Sequence, residues 1–367
     1  MSADFFNTIP LDLFMPNKKQ GISSLYHLLK RAKNHCKHVK ITRLNSQHFS
    51  LPKKTDSKYF PAELQNYIVL HAKSQQSIHF KIGERTVTVH FIHMKKNTEF
   101  NINKYIDSLA LLFSLMDLVT HNKSVNKHLT VEVYLTPFKK TMPGMSKEFL
   151  PMHVNSALTY VCQSNGEIII YREEEWFKVL IHECIHSYCL DFSQHDQKLL
   201  SKCIVNYFPI HVSDILLSET YAETWAEILN CAFISFNDAC HSIRLFSLYF
   251  NFYMQVEIVH SIFQSNKILE RYHSSFSSLR EKKFLWKQTT HLYEYHVLKT
   301  ILLFSFDKFI IWCRENNGSY LIPYKGNSYV FCDLIMESYN NKDFLEKVRK
   351  IKNRSNGDGL RMSINEL

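Results

Sequence analysis

The chain has 367 residues, 45% of them hydrophobic and 14% aromatic, and a formal net charge of +10. Such a chain can bury a sizeable core as one large domain or two modest ones, which excludes a disordered or fibrous protein. Only 8 residues are glycine, and neither a Gly-x-Gly-x-x-Gly nor a Walker sequence occurs, so glycine-rich phosphate-binding loops are excluded too. The 44 Lys and Arg are scattered in small groups, which favours a solvated surface over a nucleic-acid-binding one.

The cysteines and the apolar runs indicate a cellular location. The nine cysteines form no Cys-x-x-Cys pair, their number is odd, and no apolar stretch follows a basic start. These features predict a reduced, intracellular protein rather than a disulfide scaffold. The longest apolar runs, 105–119 and 295–313, are interrupted by charged residues, so we expect core helices and no membrane span.

The first part of the chain predicts a mixture of helices and strands. In chain order the elements are a helix at 22–32, strands at 77–82 and 85–92, a helix that begins after Asn101 or Asn103, and a strand at 129–135. Gly83-Glu84, between the first two strands, is typical of a hairpin turn. The polar residue before the helix is typical of an N-cap.

The middle of the chain predicts strands followed by a buried helix. Strands at 154–161 and 168–171, separated by Asn165-Gly166, precede a helix that three glutamates at 173–175 open. Residues 176–190 of this helix are apolar nearly all round, which indicates burial. Further helices are predicted at 215–229, capped by Ser213 or Asp214, at 242–270 and at 284–313. We therefore expect an N-terminal segment of unclear structure (1–60), an α+β core (61–235), a helical C-terminal subdomain (236–352) and a flexible tail (353–367).

The buried helix carries the motif His182-Glu183-Cys184-Ile185-His186. Residues four apart share one helix face, so His182 and His186 can both bind one Zn²⁺. Glu183 is turned by roughly 100° from His182, where it can take a proton from a metal-bound water. The alternative is a pair of core histidines bonded to backbone carbonyls, with Glu183 in a salt bridge.

The next helix offers a third ligand. Glu219, Glu223 and Glu227 form one acidic row on an otherwise apolar helix. Glu219 can bind the metal while Glu223 accepts a hydrogen bond from the far nitrogen of a ligand histidine. The reversed roles stay open, with Asp191 and Asp214 as reserve ligands, and a solvated acidic stripe is the alternative.

The combination of His182-Glu183-x-x-His186 with Glu219-Thr-Tyr-Ala-Glu223 resembles the gluzincin branch of the zincin metallopeptidases. It departs from the metzincins, which need Gly and then His after the motif, because this chain has Cys at position 189 and Phe at position 192. The resemblance implies an α+β, zincin-like fold, with a small mixed sheet, an active-site helix and a mostly helical C-terminal part. It also implies Zn²⁺ on His182, His186 and Glu219, with Glu183 as general base in peptide hydrolysis.

The same resemblance implies two further features of the site. The strand at 154–161 would be an edge strand on which a peptide substrate lies, with Asn155 and Ser156 near the cleft. A donor must stabilise the oxyanion that develops during hydrolysis, and we expect Tyr295 to supply it. Other candidates for this donor are Tyr249, Tyr253, His291, Tyr293 and His296.

Residues 129–230 also resemble uncharacterised zincin-like proteins of large nucleocytoplasmic DNA viruses. The segments that carry this resemblance are Tyr134-Leu-Thr, Val154-Asn-Ser, Ile170-Tyr-Arg-Glu-Glu-Glu-Trp, and His182-Glu-Cys-Ile-His with Leu190-Asp-Phe-Ser. It implies a location in the host cytoplasm or the virion. The alternative to a hydrolase is a catalytically inactive zincin-fold structural or binding protein that contacts nucleic acid through its basic surface. The sequence leaves the oligomeric state open.

Overall fold

A computed structural model shows an α+β protein with one mixed sheet and many helices. It describes residues 20–44, 59–95, 100–144, 147–210, 215–239, 242–281, 286, 288–351 and 357–367. The predicted caps Ser213 and Asp214, the latter also a reserve ligand, lie outside the described residues.

The sheet has six strands in the described part of the chain. They are β1 (Lys40–Leu44), β2 (Ser74–Ile82), β3 (Arg85–His93), β4 (His128–Leu135), β5 (Ala157–Thr159) and β6 (Asn165–Ile170). Their order across the sheet is β1-β2-β3-β4-β6-β5. The strands β3, β4 and β6 are parallel, whereas β1, β2 and β5 pair antiparallel with their neighbours. The short strand β5 is therefore the edge strand next to β6.

Helices make up most of the remaining described chain. They are α1 (Gln20–Cys36), α2 (Ala62–His71), α3 (Ile106–Val119), α4 (Pro151–Val154), α5 (Trp176–Ser187), α6 (Gln197–Tyr207), α7 (Leu217–Asp238), α8 (Ile243–Arg271), α9 (Lys299–Phe304), α10 (Phe306–Asn317), α11 (Ser328–Tyr339) and α12 (Lys342–Lys350). Short 3₁₀ turns lie at Ile102–Tyr105, Phe276–Ser278 and Gly318–Tyr320, and a π-helical turn at Tyr293–Leu298 leads into α9.

The sheet is covered on both faces, so the residues of β6 are buried on both of its sides. Ile168 and Ile170 belong to the large core that also contains α1, α3, α5 and α7. Ile169 points to the other face, where α2 forms a smaller core with Tyr134 and Tyr171. A strand buried on both faces has a continuous apolar run instead of an alternating pattern. The chain leaves β6 and, after a short loop, enters α5, which lies against the sheet.

Several predicted elements match the structure closely. The helix at 22–32, the hairpin around Gly83, the strand at 129–135 and the helix at 242–270 are α1, β2 with β3, β4 and α8. The Asn101 side chain accepts a hydrogen bond from the backbone of Asn103 at the start of the 3₁₀ turn that precedes α3. Periodicity and capping are local signals, which explains this agreement.

Other boundaries need correction. Only residues 157–159 of the strand predicted at 154–161 form a strand, β5, and Val154 is the last residue of the helical turn α4. Asn165-Gly166 begins β6 instead of forming a turn. The helix predicted from residue 173 begins at Trp176, because Glu175 has a left-handed backbone (φ 60°) that cannot continue a helix. Of the helix predicted at 284–313, residues 284, 285 and 287 lie outside the described chain, and the part from residue 293 is divided into the π-helical turn, α9 and α10.

Residues 360–365 are largely buried, which differs from the flexible tail predicted at 353–367; residues 353–356 of that tail lie outside the described chain. Leu360, Met362, Ser363 and Asn365 are each at most 4% exposed. The large core extends from Ile22 to Met362 and crosses the boundary predicted at 235/236.

In the described residues, none of the helices combines the length and the hydropathy needed to cross a membrane.

Candidate metal centre

Helix α5 brings the two motif histidines together inside the protein. All twelve residues of α5 are buried, and His182 and His186 lie one turn apart on one face. Their Nε2 atoms are 3.0 Å apart. Two imidazoles that face each other in a buried position need a shared partner, because a buried polar group without one is costly.

Glu219, in the first turn of α7, completes the group. Its Oε2 lies 3.4 Å from Nε2 of His182 and 3.3 Å from Nε2 of His186. Ligand atoms that hold a tetrahedral ion at 2.0 to 2.1 Å are roughly 3.3 Å apart, so the three atoms match such a site. This buried group could bind a metal ion.

A carboxylate also lies beside the Nδ1 atom of each histidine. Nδ1 of His182 is 2.9 Å from Oε2 of Glu223, although its N–H bond is not aligned with that oxygen. Nδ1 of His186 contacts the carboxylate of Asp191. Carboxylates in these positions fix the tautomer that leaves Nε2 free for a metal, and they orient the ring.

The end of α5 explains the position of Asp191. Cys189 has a left-handed backbone (φ 55°), and the N–H of Leu190 bonds to the carbonyl of Ile185. This is the Schellman arrangement, which reverses the chain at a helix end. The reversal returns Asp191 to the histidine five residues before it. The sequence offers Asp191 as a reserve ligand. In the structure its carboxylate contacts Nδ1 of His186, the nitrogen that faces away from the ligand group.

Opposite charges dominate the electrostatics of the group. Burial alone raises the pKa of Glu219, but His186 and His182 hold it well below its usual value. Burial lowers the pKa of His186, yet Glu219 and Asp191 raise it well above normal. Three ligand atoms converge here, two imidazole nitrogens and one carboxylate oxygen. This donor set suits a divalent metal.

Glu183 lies beside the ligand group and faces a cleft. It is 8% exposed, and its carboxylate makes no hydrogen bond or salt bridge to any residue in the described part of the chain. Burial raises its pKa, an effect that His182 and His186 partly offset. The alternative interpretation, in which Glu183 forms a salt bridge, therefore has no support among the described residues.

The cleft is small and is bounded by the segment that leads into the edge strand. Its cavity volume is about 40 Å³, and it is lined by Glu183, His182, Tyr295 and the run from Val154 to Ala157. Asn155 and Ser156 thus both lie at the cleft. The Asn155 side chain already accepts a hydrogen bond from Thr290, whereas the buried Ser156 hydroxyl has no partner in the described ranges.

Tyr295 is the candidate donor that the structure places at the centre. Its hydroxyl donates to Oε2 of Glu219 at 2.8 Å, and its ring packs against His182. Tyr253 instead contacts Asp238, and Tyr293 packs against Trp286. The remaining sequence candidates, Tyr249, His291 and His296, do not line the cleft.

The acidic row on α7 is not a solvated stripe. Glu223 and Glu227 are 2% and 0% exposed and lie beside two buried lysines. Lys178 of α5 contacts Glu223 directly, and Lys299 lies 3.2 Å from Glu227. Burial alone raises the pKa of Glu223, but Lys178 and then His182 lower it well below normal. A network of buried ion pairs therefore contacts the ligand group through Glu223, which lies beside His182.

Sequence reasoning missed several residues near the centre. Lys178 is one turn before His182 on the same helix, and its position on an apolar helix is a signal that could have identified it. Lys140 and Met362 also line the cleft, and no sequence pattern links them to the motif. The structure pairs Cys162 with Cys189 as a disulfide, a pairing that the sequence did not predict. This bond joins the end of α5 to the β5–β6 turn.

Comparisons of the chain with protein-family models, with curated proteins and with solved structures found no match.

Proposed function

We propose that the protein is a zinc-dependent hydrolase, and specifically a metallopeptidase of zincin-like architecture. The observation that carries the proposal is the position of Glu183. Glu183 follows the ligand His182 in the chain and lines, with it, a cleft bordered by the edge of the sheet. An unpaired carboxylate next to a candidate metal site is the arrangement that a general base for water requires.

The roles of the protein residues follow from their contacts. A Zn²⁺ held by His182, His186 and Glu219 would supply Lewis-acid chemistry, which activates water at neutral pH and polarises a carbonyl. Glu183 accepts the proton of the attacking water and passes it to the leaving amine. Burial raises the pKa of Glu183, which helps this carboxylate to hold the proton between the two steps. Glu223 and Asp191 hold the two histidines in the required orientation.

The edge strand supplies a place for the substrate backbone. β5 is the last strand of the sheet and pairs only with β6 among the described strands. A peptide in extended conformation can add to such an edge by main-chain hydrogen bonds. The buried Ser156 hydroxyl has no partner in the described ranges, so a small shift of this segment would let it bond to the substrate backbone. Tyr295 can turn its hydroxyl from Glu219 towards a developing oxyanion.

The substitution Glu183→Gln tests the mechanism. It keeps the size of the side chain and leaves all three ligand atoms in place, so bound zinc should stay at one equivalent. Peptide hydrolysis should fall by about 10² to 10⁴-fold, because the general base is lost. Bound zinc is measured by elemental analysis. Hydrolysis of a mixture of peptides is measured by mass spectrometry.

The matched control is His186→Ala, which should lose both zinc and activity. Full hydrolysis by a zinc-loaded Glu183→Gln protein would contradict the proposed mechanism. Zinc binding by the wild type without any hydrolysis would favour the second candidate, a zinc-stabilised protein that does not cleave. The small volume of the cleft, about 40 Å³, is the observation that favours this second candidate.

A further inference from the structure

The C-terminal segment 357–367 passes directly beside the cleft and is fixed there on both sides of Met362. The N–H of Leu360 donates to the carbonyl of Lys140 at 2.9 Å, and the N–H of Ser363 donates to the Glu175 carboxylate. Lys140 and Glu175 themselves form a buried ion pair at 3.0 Å. Met362 therefore lies between two backbone hydrogen bonds, and the residues that accept them, Lys140 and Glu175, are paired with each other.

The Met362 side chain forms part of the cleft wall. It is 4% exposed, and its Sδ lies 3.8 Å from Nζ of Lys178. The same cavity is lined by His182 and Glu183, so Met362 reaches the space in which a scissile bond would react. Val179 is another apolar residue of this wall. A residue more than 170 positions away along the chain thus limits the space beside the motif.

The volume of the cavity limits what can enter it. A single water needs a cavity of roughly 10 to 15 Å³, so the cleft, at about 40 Å³, holds only a few heavy atoms within its walls. The attacking water and the carbonyl must share this space with the neighbouring side chain. We propose that Met362 selects peptides that carry a small side chain, that of Gly, Ala or Ser, next to the scissile bond. This inference rests on the proposed function and names its substrate class.

The substitution Met362→Ala tests this inference because it removes three heavy atoms from the wall. With the zinc-loaded full chain, cleavage of a peptide library should occur beside Gly, Ala or Ser. Ala should be preferred over Leu by at least about 10-fold in kcat/KM, and Met362→Ala should reduce this preference to near parity. Leu360→Ala is the matched control: Leu360 lies in the same segment and is 0% exposed, yet it does not line the cleft. It should keep the preference of the wild type.

A second measurement separates this inference from the proposed function. Two hydroxamates that differ only in a methyl or an isobutyl side chain are titrated into each zinc-loaded protein by calorimetry. Tighter binding of the methyl compound by the wild type, lost in Met362→Ala, supports the small pocket even if no peptide is cleaved. An unchanged preference in Met362→Ala, equal binding of both compounds by the wild type, or binding of neither would overturn it.

Discussion

Replacing Glu223 by Gln separates the two contacts that this buried carboxylate makes. Glu223 is 2% exposed and contacts Lys178 on one side and Nδ1 of His182 on the other. The substitution keeps the shape of the side chain and removes its charge. The nearest carboxylate that Lys178 then retains in the described chain is that of Glu227, 3.9 Å away.

The magnitudes follow from burial. Removing one partner of a buried ion pair costs about 3 to 5 kcal/mol. Because Lys178 keeps its contact with Glu227, we expect a loss of about 3 kcal/mol. Loss of the carboxylate behind a ligand histidine weakens metal binding by about 10- to 100-fold. We therefore expect Glu223→Gln to lower both the free energy of unfolding of the metal-free protein and its affinity for zinc.

A double variant distinguishes the two effects. Adding Lys178→Met removes the unpaired buried charge, so most of the unfolding free energy should return, while zinc affinity should stay weak because His182 still lacks its carboxylate. Unfolding is measured in urea and zinc affinity by competition with a chelator. As a control, Glu337→Gln breaks an ion pair with Lys308 whose side chains are 65% and 46% exposed, and it should change neither quantity measurably.

Two results would refute this reasoning. Wild-type zinc affinity in the double variant would show that Glu223 acts on the site only through Lys178. A loss of less than about 1 kcal/mol in Glu223→Gln would show that this ion pair is not buried in solution, since exposed pairs are worth at most that much.

Three further predictions concern the metal, the disulfide and acid stability. Zinc at about 100 times its Kd should stabilise the protein by about 2.7 kcal/mol, seen as a rise in Tm that a chelator reverses, and His186→Ala should abolish the rise. Replacing Cys162 and Cys189 together by Ser removes a cross-link between residues that are 27 positions apart. The free energy of unfolding, measured in urea, should fall by about 3 to 4 kcal/mol, and an unchanged value would contradict the disulfide. Burial raises the pKa of Glu175, but Lys140 and other charges lower it from 4.5 to about 2, so its carboxylate stabilises the fold above pH 4.5. The stability difference between wild type and Glu175→Gln should therefore shrink as the pH falls towards 2, and a pH-independent difference would argue against this ion pair.

Much of the α+β fold could be predicted because its signals are local. Hairpin turn residues, an N-cap and the apolar periodicity of helices act over a few residues, so β2, β3, α3 and α8 were predicted with small boundary errors. Boundaries failed where the backbone departs from regular geometry. The left-handed Glu175 delays the start of α5, and nothing in its sequence neighbourhood signals that conformation.

The candidate centre shows the same division between local and distant information. Helix periodicity alone determines that His182 and His186 share a face, and that Glu219 and Glu223 are one turn apart. The sequence could not choose between these two glutamates, because the choice depends on how α5 and α7 pack against each other. In the structure Glu219 lies at both Nε2 atoms and Glu223 behind His182.

Only the tertiary structure decided which distant residues surround the motif. Asp191 reaches His186 through a chain reversal, Cys162 pairs with Cys189, and Met362 enters the cleft from the end of the chain. Each of these contacts depends on backbone paths that pack together from separate parts of the sequence, and no short pattern records them. The sequence by itself thus determined a metal-ligand spacing on a buried helix. The packing of the remaining chain decided the support of that site, its volume and the access to it.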